Sequence, residues 1–571
     1  MIDPVTLEVI WNRLLSVATE QQDALMRTAF STIVRESQDL ACGLFDTRGR
    51  MIAQSVSGTP GHINAMATSM RHFLAAYPLE TLAPGDVLIT NDPWMTAGQI
   101  NDITITTPVF YADDRPVALF ANTCHSADIG GRILSAQARE VYEEGLRLPV
   151  MKLFDRGQPN EVLLRIIRAN VRQPDEVVGD LHAQAACNDA GGRALLETMR
   201  EFDLASIDPV ADEIVRRSET AVRQKIAELP DGEWQSETWG DGFDEPILIR
   251  CTVHVRGDEM FIDFAGSSPQ SQYGINVVFN YTHAYASFAA KAAIYPDVPH
   301  NEGSFRPVHV SAPEGSILNA LDPAPVASRQ AVGHFLPAAI FSAMAGALPE
   351  RLIAPGADPI WLTVWRGPRF TTTIFQVGGT GARPTKDGLS ATGFPSGVAG
   401  VPAEVIESLA PLVMQRRQLW TDSGGAGAQR GGLGQLTSFS NRSGERWSVS
   451  CIVDRTRYPA PGLLGAAAGA PGEVLLGRGE RLSPKAQVDL DPREVVHLNP
   501  PGGGGFGDPF SRDPERVRRD VVAGYVSPEA AARDYGVVVR YTGQPDALVR
   551  LAEDFAIDAQ ATAALRQRNG R

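Results

Sequence analysis

The stretch ITITTPVF at residues 103–110, followed by VALFANT at residues 117–123, decides the fold of the first part of the chain. Both runs are apolar and rich in β-branched side chains, and both have the length of a strand. Only the polar turn ADDR at residues 112–115 separates them. This pattern predicts two adjacent β-strands.

Polar side chains stand at the ends of this strand pair. Asp102 immediately precedes the first strand, His125 ends the second, and Asp128 follows three residues later. Adjacent strands would bring them to one edge of a sheet, where Asp39 could join from a distant part of the chain. Carboxylates and imidazoles are ligands for Zn²⁺, Mn²⁺ or Fe²⁺. A histidine beside an aspartate is more often a hydrogen-bonded structural pair, so spacing alone leaves both interpretations open.

Helix-like and strand-like patterns alternate along the rest of the chain. Asp3 as N-cap and Pro4 at the first helical position begin a helix. Further helices are predicted at residues 161–171, 211–228, 276–295 and 327–347, and further strands at 40–45, 86–90 and 247–264. We therefore predict an α+β protein of several domains, with a glycine-rich, β-rich region near residues 355–510. The predicted domains are 1–240, 241–400, 401–510 and a helical tail at 511–571.

Composition limits the classes of function. The chain has 571 residues, 43% hydrophobic and 21% charged, which is typical of a soluble globular protein. A net charge of −15 argues against nucleic-acid binding, because phosphate contacts need a basic surface. No apolar run approaches the roughly 20 residues of a membrane span, and the N-terminus lacks the pattern of a signal peptide. Five scattered cysteines without a CxxC motif predict reduced, buried thiols and a cytoplasmic protein.

Two glycine-rich stretches, at residues 424–434 and 502–507, suggest loops that bind phosphate through backbone N–H groups. A Walker A loop is absent, because no lysine in the chain is followed by serine or threonine. We interpret both stretches as tight structural turns. Loops that shape a pocket or a subunit interface are the alternative.

Motifs along nearly the whole chain resemble those of the hydantoinase B/oxoprolinase family. This family includes subunits of acetone and acetophenone carboxylases and of ATP-dependent lactamases. The matching motifs are FDTRG (45–49), TNDPW (90–94), GQIND (98–102), HSADIGG (125–131), YEEGL (142–146), NEGSFRP (301–307), APEGS (312–316), DSGGAG (422–427), RGGLG (430–434), PGGGGFGDP (501–509) and VSPEAA (526–531).

The resemblance implies a metal site. In members of this family a carboxylate from an early segment, a His-x-x-Asp pair after the Asn-Asp-Pro turn and a later histidine hold a metal. In this chain these positions are Asp39, Gln99 with Asp102, and His125. Gln99 departs from the family, which commonly has histidine there. A neutral amide oxygen is a poor zinc ligand, so we expect a weakened divalent metal site, or one retuned toward Mn²⁺ or Mg²⁺.

The resemblance also implies an activity and a partner. In this family a separate A-type subunit uses ATP to phosphorylate an amide or carbonyl oxygen, and the B-type subunit completes the reaction. The first interpretation is therefore a subunit of an ATP-dependent amidohydrolase that opens a hydantoin, oxoproline or lactam. A subunit of a ketone carboxylase is the second interpretation, and a non-catalytic scaffold with a degenerate metal site is the third.

Four residues are candidates for catalysis under the first interpretation. His125 and Asp128 belong to the HSADIGG motif, His62 lies in the segment GHIN (61–64), and Glu143 lies in YEEGL. The alternative for His62 is a structural, hydrogen-bonded histidine. The alternative for Glu143 is an ordinary solvated surface carboxylate.

Overall fold

A computed structural model describes residues 3–56, 58–111, 115–544, 547 and 549–568. The chain forms two compact units. Unit 1 contains residues 1–235, 249–340 and 396–399, and unit 2 contains residues 236–248, 341–395 and 400–571. These units interleave along the sequence, whereas the four predicted domains are consecutive; that division stays a prediction.

Unit 1 mixes helices and strands. Its helices are α1 (Pro4–Thr28), α2 (Thr32–Arg35), α3 (Pro60–Ala76), α4 (Val141–Glu144), α5 (Glu161–Asn170), α6 (Pro174–Glu201), α7 (Asp208–Ala227), α8 (Phe279–Ile294), α9 (Glu302–Phe305), α10 (Gln330–Gly333) and α11 (Phe335–Met344). Its strands are β1 (Leu40–Phe45), β2 (Met51–Gln54), β3 (Val87–Thr90), β4 (Asp102–Tyr111), β5 (Arg115–His125), β6 (Met151–Asp155), β7 (Gln158–Pro159), β8 (Gly232–Gly240), β9 (Ile247–Arg256), β10 (Glu259–Asp263) and β11 (Val308–Ser311). Three of these elements, α11, β8 and β9, also include residues assigned to unit 2.

The predicted strand pair lies at the centre of a seven-stranded sheet. The strand order is β2-β1-β5-β4-β3-β6-β7, with β11-β10-β9-β8 as a second sheet. Strands β4 and β5 pair antiparallel, and Asp102 lies directly opposite His125 in the register. The adjacency predicted from sequence is confirmed, whereas residues 112–114 of the predicted turn lie outside the described residues.

Helices cover both faces of the large sheet. Ala118 and Phe120 of β5 join a core with α1, α6 and α7, whereas Leu119 and Ala121 join a second core with α3. Side chains alternate between the faces of a strand, so a sheet buried on both faces needs apolar residues at successive positions. This explains the continuous apolar run at residues 117–121 of β5, whereas β4 begins with alternating isoleucine and threonine.

The predicted helix at residues 327–347 is wrong in one respect, because two helices occupy it. Helix α10 ends at Gly333, and α11 begins at Phe335. Pro337 has no N–H to donate to the carbonyl of Gly333, so a continuous helix would lack that hydrogen bond. The predicted helix at 276–295 corresponds to α8 and is confirmed.

Unit 2 contains most of the predicted β-rich region. Its strands are β12 (Trp361–Gly367), β13 (Phe370–Gln376), β14 (Leu412–Leu419), β15 (Gln435–Asn441), β16 (Trp447–Ile452), β17 (Glu473–Leu476), β18 (Gln487–Leu490), β19 (Val495–Asn499), β20 (Val539–Tyr541) and β21 (Phe555–Ile557). They form sheets of order β13-β12-β16-β18, β14-β15-β19-β17 and β20-β21. Its helices are α12 (Ala403–Leu409), α13 (Pro514–Val522), α14 (Pro528–Tyr535) and α15 (Ala559–Arg568).

Helices α13 and α14 of the tail begin at side chains that cap their first turns. The side chain of Asp513 accepts a hydrogen bond from the Glu515 N–H at the start of α13, and Ser527 caps α14 in the same way. Gly536 ends α14 in the left-handed conformation, which glycine adopts without steric cost.

Two predictions from composition can be compared with the structure. All five cysteines are buried and unpaired, as predicted. In the described part of the chain, no helix is both long enough and apolar enough to cross a membrane.

Candidate functional site

Asp102 lies at the centre of a buried polar cluster in unit 1. His62 Nε2 and His125 Nδ1 each lie 2.9 Å from one of its carboxylate oxygens. Gln99 donates its amide N–H to Oδ1 at 2.8 Å, and Arg329 Nη2 donates to Oδ2. A carboxylate offers about four lone-pair positions. These four donors therefore saturate Asp102.

Asp39 lies beside the two histidines without sharing the donors of Asp102. It directly precedes β1, and its backbone carbonyl accepts the N–H of His125 at 3.2 Å. Thr59 Oγ1 donates to its Oδ1 at 2.9 Å. Its carboxylate oxygens lie 3.6 Å from His62 Nδ1 and 4.0 Å from His125 Nδ1. Asp39, Gln99, Asp102 and His125 thus meet as predicted.

Gly98 and Gly61 leave the space that the side chains of Arg329 and Tyr281 occupy. Gly98 has a φ of +89°, and a Cβ there would lie 2.9 Å from Cδ of Arg329. A Cβ on Gly61 would lie 2.4 Å from a ring carbon of Tyr281. Larger residues at either position would push Arg329 or the Tyr281 ring away from the cluster.

Arg329 is held on three sides. Its Nη2 meets Asp102, its Nε donates to the carbonyl of Ala97 at 2.5 Å, and its guanidinium lies 4.1 Å from the ring centre of Tyr281. Burial makes charge on this side chain costly, but the negative charge of Asp102 outweighs that cost, so the pKa of Arg329 is raised. Arg329 is 3% exposed, and its charge is therefore fixed inside unit 1.

Two tyrosines and a histidine line the far side of Arg329. The hydroxyls of Tyr281 and Tyr285 lie 3.1 and 2.9 Å from Nε2 of His334. Burial and the nearby charge of Arg329 lower the pKa of His334 to about 3. His334 is therefore neutral, and its Nε2 lies within hydrogen-bonding distance of both hydroxyls.

The cluster fixes where charge and protons lie. Burial alone would raise the pKa of Asp102, but Arg329 and the two histidines hold it well below its usual range. Burial also disfavours protonated His62, yet the charges of Asp102 and Asp39 outweigh this and raise the pKa of His62. Asp102 is thus ionised, and His62 holds a proton more readily than an ordinary histidine.

The predicted metal ligands do not fit a bound ion in this arrangement. No group of three or more histidine, cysteine, aspartate or glutamate side chains in the described ranges is placed to hold a metal. Gln99 Nε2 lies 2.8 Å from a carboxylate oxygen, a distance that requires an N–H rather than the amide oxygen to face it. Asp102 has no lone pair left for an ion.

Two predicted catalytic residues lie elsewhere. Asp128 forms an ion pair with Arg172 at 2.7 Å. Glu143 forms a half-exposed ion pair with Arg132 at 2.9 Å. The structure does not bring either side chain to the cluster around Asp102. Asp128 is buried in its ion pair, whereas the Glu143 pair is an ordinary surface ion pair.

Glu144, the neighbour of Glu143, is instead buried and supports the cluster indirectly. One of its oxygens accepts the backbone N–H groups of Val326 and Ala327 at 2.6 and 2.8 Å. These two residues lead into Arg329. Burial raises the pKa of Glu144 to about 8, so the side chain is protonated at neutral pH. Glu144 therefore positions the turn that presents Arg329.

A cavity of about 380 Å³ lies in the same unit. Its lining combines apolar side chains with amides, one lysine and one histidine. Gln38 precedes Asp39 in the sequence, and Pro60 and Ile63 lie beside His62 on α3. The lining residues are Gln38, Gln54, Val56, Gly58, Pro60, Ile63, Asn64, Phe288, Lys291, Ala292, Pro296, His300 and Gly397.

Sequence reasoning missed Arg329, Tyr281, Tyr285 and His334. One signal was present, because Arg329 is the only charged residue in the apolar segment 327–347. A charge in a segment that must be buried needs a partner, and this alone could have marked Arg329. The tyrosines carried no comparable signal, since buried tyrosines are common in helices.

A sequence comparison with known families shows where this chain belongs. The profile of the hydantoinase B/oxoprolinase family matches residues 3–509. The chain belongs to this family. The family inferred from the motifs is thereby confirmed.

Named relatives include components of amide-cleaving enzymes. The B-type subunit of a putative D-/L-hydantoinase from Pseudomonas sp. (strain NS671) is 30% identical, covering 94% of this chain and 95% of the relative. The beta component of caprolactamase from Pseudomonas jessenii is 31% identical, covering 95% of this chain and 98% of the relative. These relatives are named as parts of assemblies with more than one kind of subunit.

Solved structures show the same fold. The ATP-dependent caprolactamase from Pseudomonas jessenii superposes with a TM-score of 0.89 at 28% identity, covering 99% of this chain and all of that chain. An ATP-dependent acetone carboxylase superposes with a TM-score of 0.87 over all of this chain and 83% of that chain. At 18% identity, the second likeness shows the fold alone.

Proposed function

We propose that this chain is the catalytic B-type subunit of an ATP-dependent amidohydrolase that opens a cyclic amide. Its partner in this proposal is an A-type subunit that uses ATP to activate the amide oxygen. The observation that supports the proposal is the buried His62–Asp102–His125 cluster. The cluster occurs in a chain that is 30 and 31% identical, over nearly its whole length, to the hydantoinase and caprolactamase relatives.

Hydrolysis of an activated amide needs proton transfer at two points. A base accepts a proton from the water that attacks the activated carbon, and an acid donates one to the ring nitrogen as the C–N bond breaks. The acyl phosphate that remains reacts with a second water, which releases inorganic phosphate and leaves the carboxylate. His62 Nε2 and His125 Nδ1 both face Asp102, so each ring exchanges protons through its other nitrogen. Asp102 orients both rings, as a carboxylate does in a hydrolase triad, and Gln99 Nε2 lies 2.9 Å from the same Nδ1 of His125.

The two histidines are assigned different steps of proton transfer. The raised pKa of His62 suits a proton donor, and its Nδ1 has no hydrogen-bond partner among the described residues. His125 Nε2 is the nitrogen assigned to accept a proton from water. The cavity of about 380 Å³, lined by sequence neighbours of Asp39 and His62, has the size range of a small-molecule site.

The test uses the chain co-expressed with its A-type partner. Hydantoin, 5-oxoproline, caprolactam and acetone are supplied with ATP, with and without bicarbonate. Ring opening without bicarbonate supports the proposal, whereas ATP-dependent turnover of a ketone only with bicarbonate would replace it by the carboxylase interpretation.

A matched pair of variants tests whether the cluster is catalytic. His125→Ala should lower kcat by about 10²–10⁴-fold, the usual contribution of a general base. His309→Ala, at a histidine that is 45% exposed on β11, should leave kcat unchanged. Full activity of His125→Ala in an intact complex would show that this chain is a scaffold.

A further inference from the structure

We propose that Arg329 is a positioning residue that supplies the fixed positive charge of the Asp102 cluster, so that the native site is held together by a guanidinium rather than by a divalent metal. This proposal concerns whether the site contains a metal ion, and it does not depend on which substrate is turned over. It rests on three features of the cluster.

The first feature is the hydrogen bonding of Asp102. His62 Nε2 and Arg329 Nη2 meet one carboxylate oxygen, and His125 Nδ1 and Gln99 Nε2 meet the other. A metal bound to Asp102 would have to displace at least one of these donors. The displaced group would be left buried without its partner, which is costly.

The second feature is charge. Asp39 and Asp102 bring two carboxylates to the cluster, and Arg329 already compensates one of them inside a region excluded from water. A divalent ion among these ligands would stand beside a buried guanidinium that cannot lose its proton. Two positive charges at such a short distance repel each other strongly in a low-dielectric interior. Arg329 and a metal ion therefore compete for the same carboxylate.

The third feature is that Arg329 cannot move aside easily. Its Nε is bonded to Ala97, its guanidinium lies against Tyr281, and a glycine at position 98 leaves room for its Cδ. Glu144 holds the backbone immediately before it through Val326 and Ala327. The arginine is therefore part of the fold and not a mobile side chain.

Gln99 completes the arrangement. Its N–H faces Asp102 while its Oε1 has no hydrogen-bond partner among the described residues. A histidine at this position would offer a nitrogen lone pair to an ion, whereas the amide offers an N–H to the carboxylate. Gln99 and Arg329 thus act together to keep Asp102 bonded to nitrogen donors.

The experiment measures metal content of the full chain after expression with added Mn²⁺, Zn²⁺ or Fe²⁺ and dialysis, by mass spectrometry of the ions. Four proteins are compared with wild type: Gln99→His, Arg329→Met, Arg329→Lys and the double variant Gln99→His with Arg329→Met. Circular dichroism and gel filtration report whether each variant is folded.

Wild type and Arg329→Lys should contain far less than one ion per chain, because both keep a cation beside Asp102. The double variant should bind Mn²⁺ at least about tenfold more tightly than wild type, the scale on which neighbours of a ligand set tune affinity. Either single change should give a smaller gain.

Stoichiometric metal in dialysed wild type would overturn the proposal. A folded double variant that binds no more metal than wild type would also overturn it. If the double variant does not fold, wild type and Gln99→His decide: metal-poor preparations of both support the proposal, and a stoichiometric ion in wild type refutes it. None of these measurements requires turnover, so a failure of the proposed hydrolase activity would be seen separately.

Discussion

Two regions of this protein achieve close packing in opposite ways. In unit 1, the Asp102 cluster buries charged and polar side chains that satisfy one another. In unit 2, the glycine cluster, which we define as residues 378–381, 424–427, 431–434 and 502–505, brings backbone against backbone with no side chains between. There, a Cβ on Gly502 would lie 1.7 Å from the carbonyl oxygen of Ser423.

The difference shows what each region can do. The N–H groups of the glycine cluster donate to carbonyls within unit 2, for example Gly425 to Gly503 and Gly503 to Gly432, at 2.9 and 3.0 Å. The N–H groups bonded in this way are not free to bind phosphate, which supports the interpretation of these stretches as structural. The Asp102 cluster instead has histidine nitrogens that do not contact its carboxylate, and these are the atoms to which we assign proton transfer in the proposed function.

The largest expected effect comes from adding one carbon to the glycine cluster. Gly502→Ala should destabilise unit 2 by more than about 4 kcal/mol, because a Cβ at 1.7 Å from a carbonyl oxygen forces the backbone segments apart. Urea unfolding followed by circular dichroism measures the change.

Gly346→Ala is the matched control for this variant. Gly346 does not have a positive φ, and its added Cβ meets nothing within 4 Å. Its stability should change by less than about 1 kcal/mol. Equal behaviour of the two alanine variants would mean that the glycine cluster is not sterically required.

A smaller loss is expected when the central charge of the polar cluster is removed. Asp102→Asn keeps the shape of the side chain but leaves Arg329 buried without its counter-charge. Breaking a buried pair from one side costs about 3–5 kcal/mol. The same urea experiment should therefore show a clear drop in the free energy of unfolding of unit 1.

Two further variants test whether the loss of stability comes from breaking the Asp102–Arg329 pair or from removing any carboxylate charge. Asp175→Asn makes the same change at a side chain that is 95% exposed, and stability should change by less than about 0.5 kcal/mol. Combining Asp102→Asn with Arg329→Met should recover part of the loss, with a coupling of about 0.5–3 kcal/mol. Strict additivity would show that the two residues do not interact.

The smallest expected effect is a change in how stability depends on pH when Glu144, which supports the cluster, is replaced. The pKa of Glu144 is about 8 in the folded chain and has its ordinary value near 4.5 when unfolded. Its stabilising contribution is thus complete below pH 4.5 and is lost as the pH rises toward 8. Glu144→Gln should gain about 3 kcal/mol relative to wild type between pH 5 and pH 8.

Glu143→Gln is the control for this experiment, because Glu143 is the neighbouring carboxylate and is half-exposed in a pair with Arg132. Its stability relative to wild type should stay within about 1 kcal/mol across the same pH range. A parallel pH profile for wild type and Glu144→Gln would contradict the burial argument for Glu144.

The sequence allowed prediction of the sheet centre and of half of the cluster. Periodicity and turn residues predicted β4 and β5, and their adjacency placed Asp102 opposite His125. The residue pattern also suggested Asp39, and the family resemblance added Gln99; the structure places both nearby. Asp128 shares the HSADIGG motif with His125, and Glu143 belongs to the separate YEEGL motif, but membership of a motif does not fix the direction of a side chain.

The sequence by itself determined the family, the alternation of helices and strands, and which polar residues end the central strands, because these follow from local pattern and motif order. Only the tertiary structure decided that Arg329, more than 200 positions from Asp102, closes the cluster. The physical reason is that a buried charge selects its partner by proximity in space, whereas periodicity and turn chemistry act only over neighbouring residues.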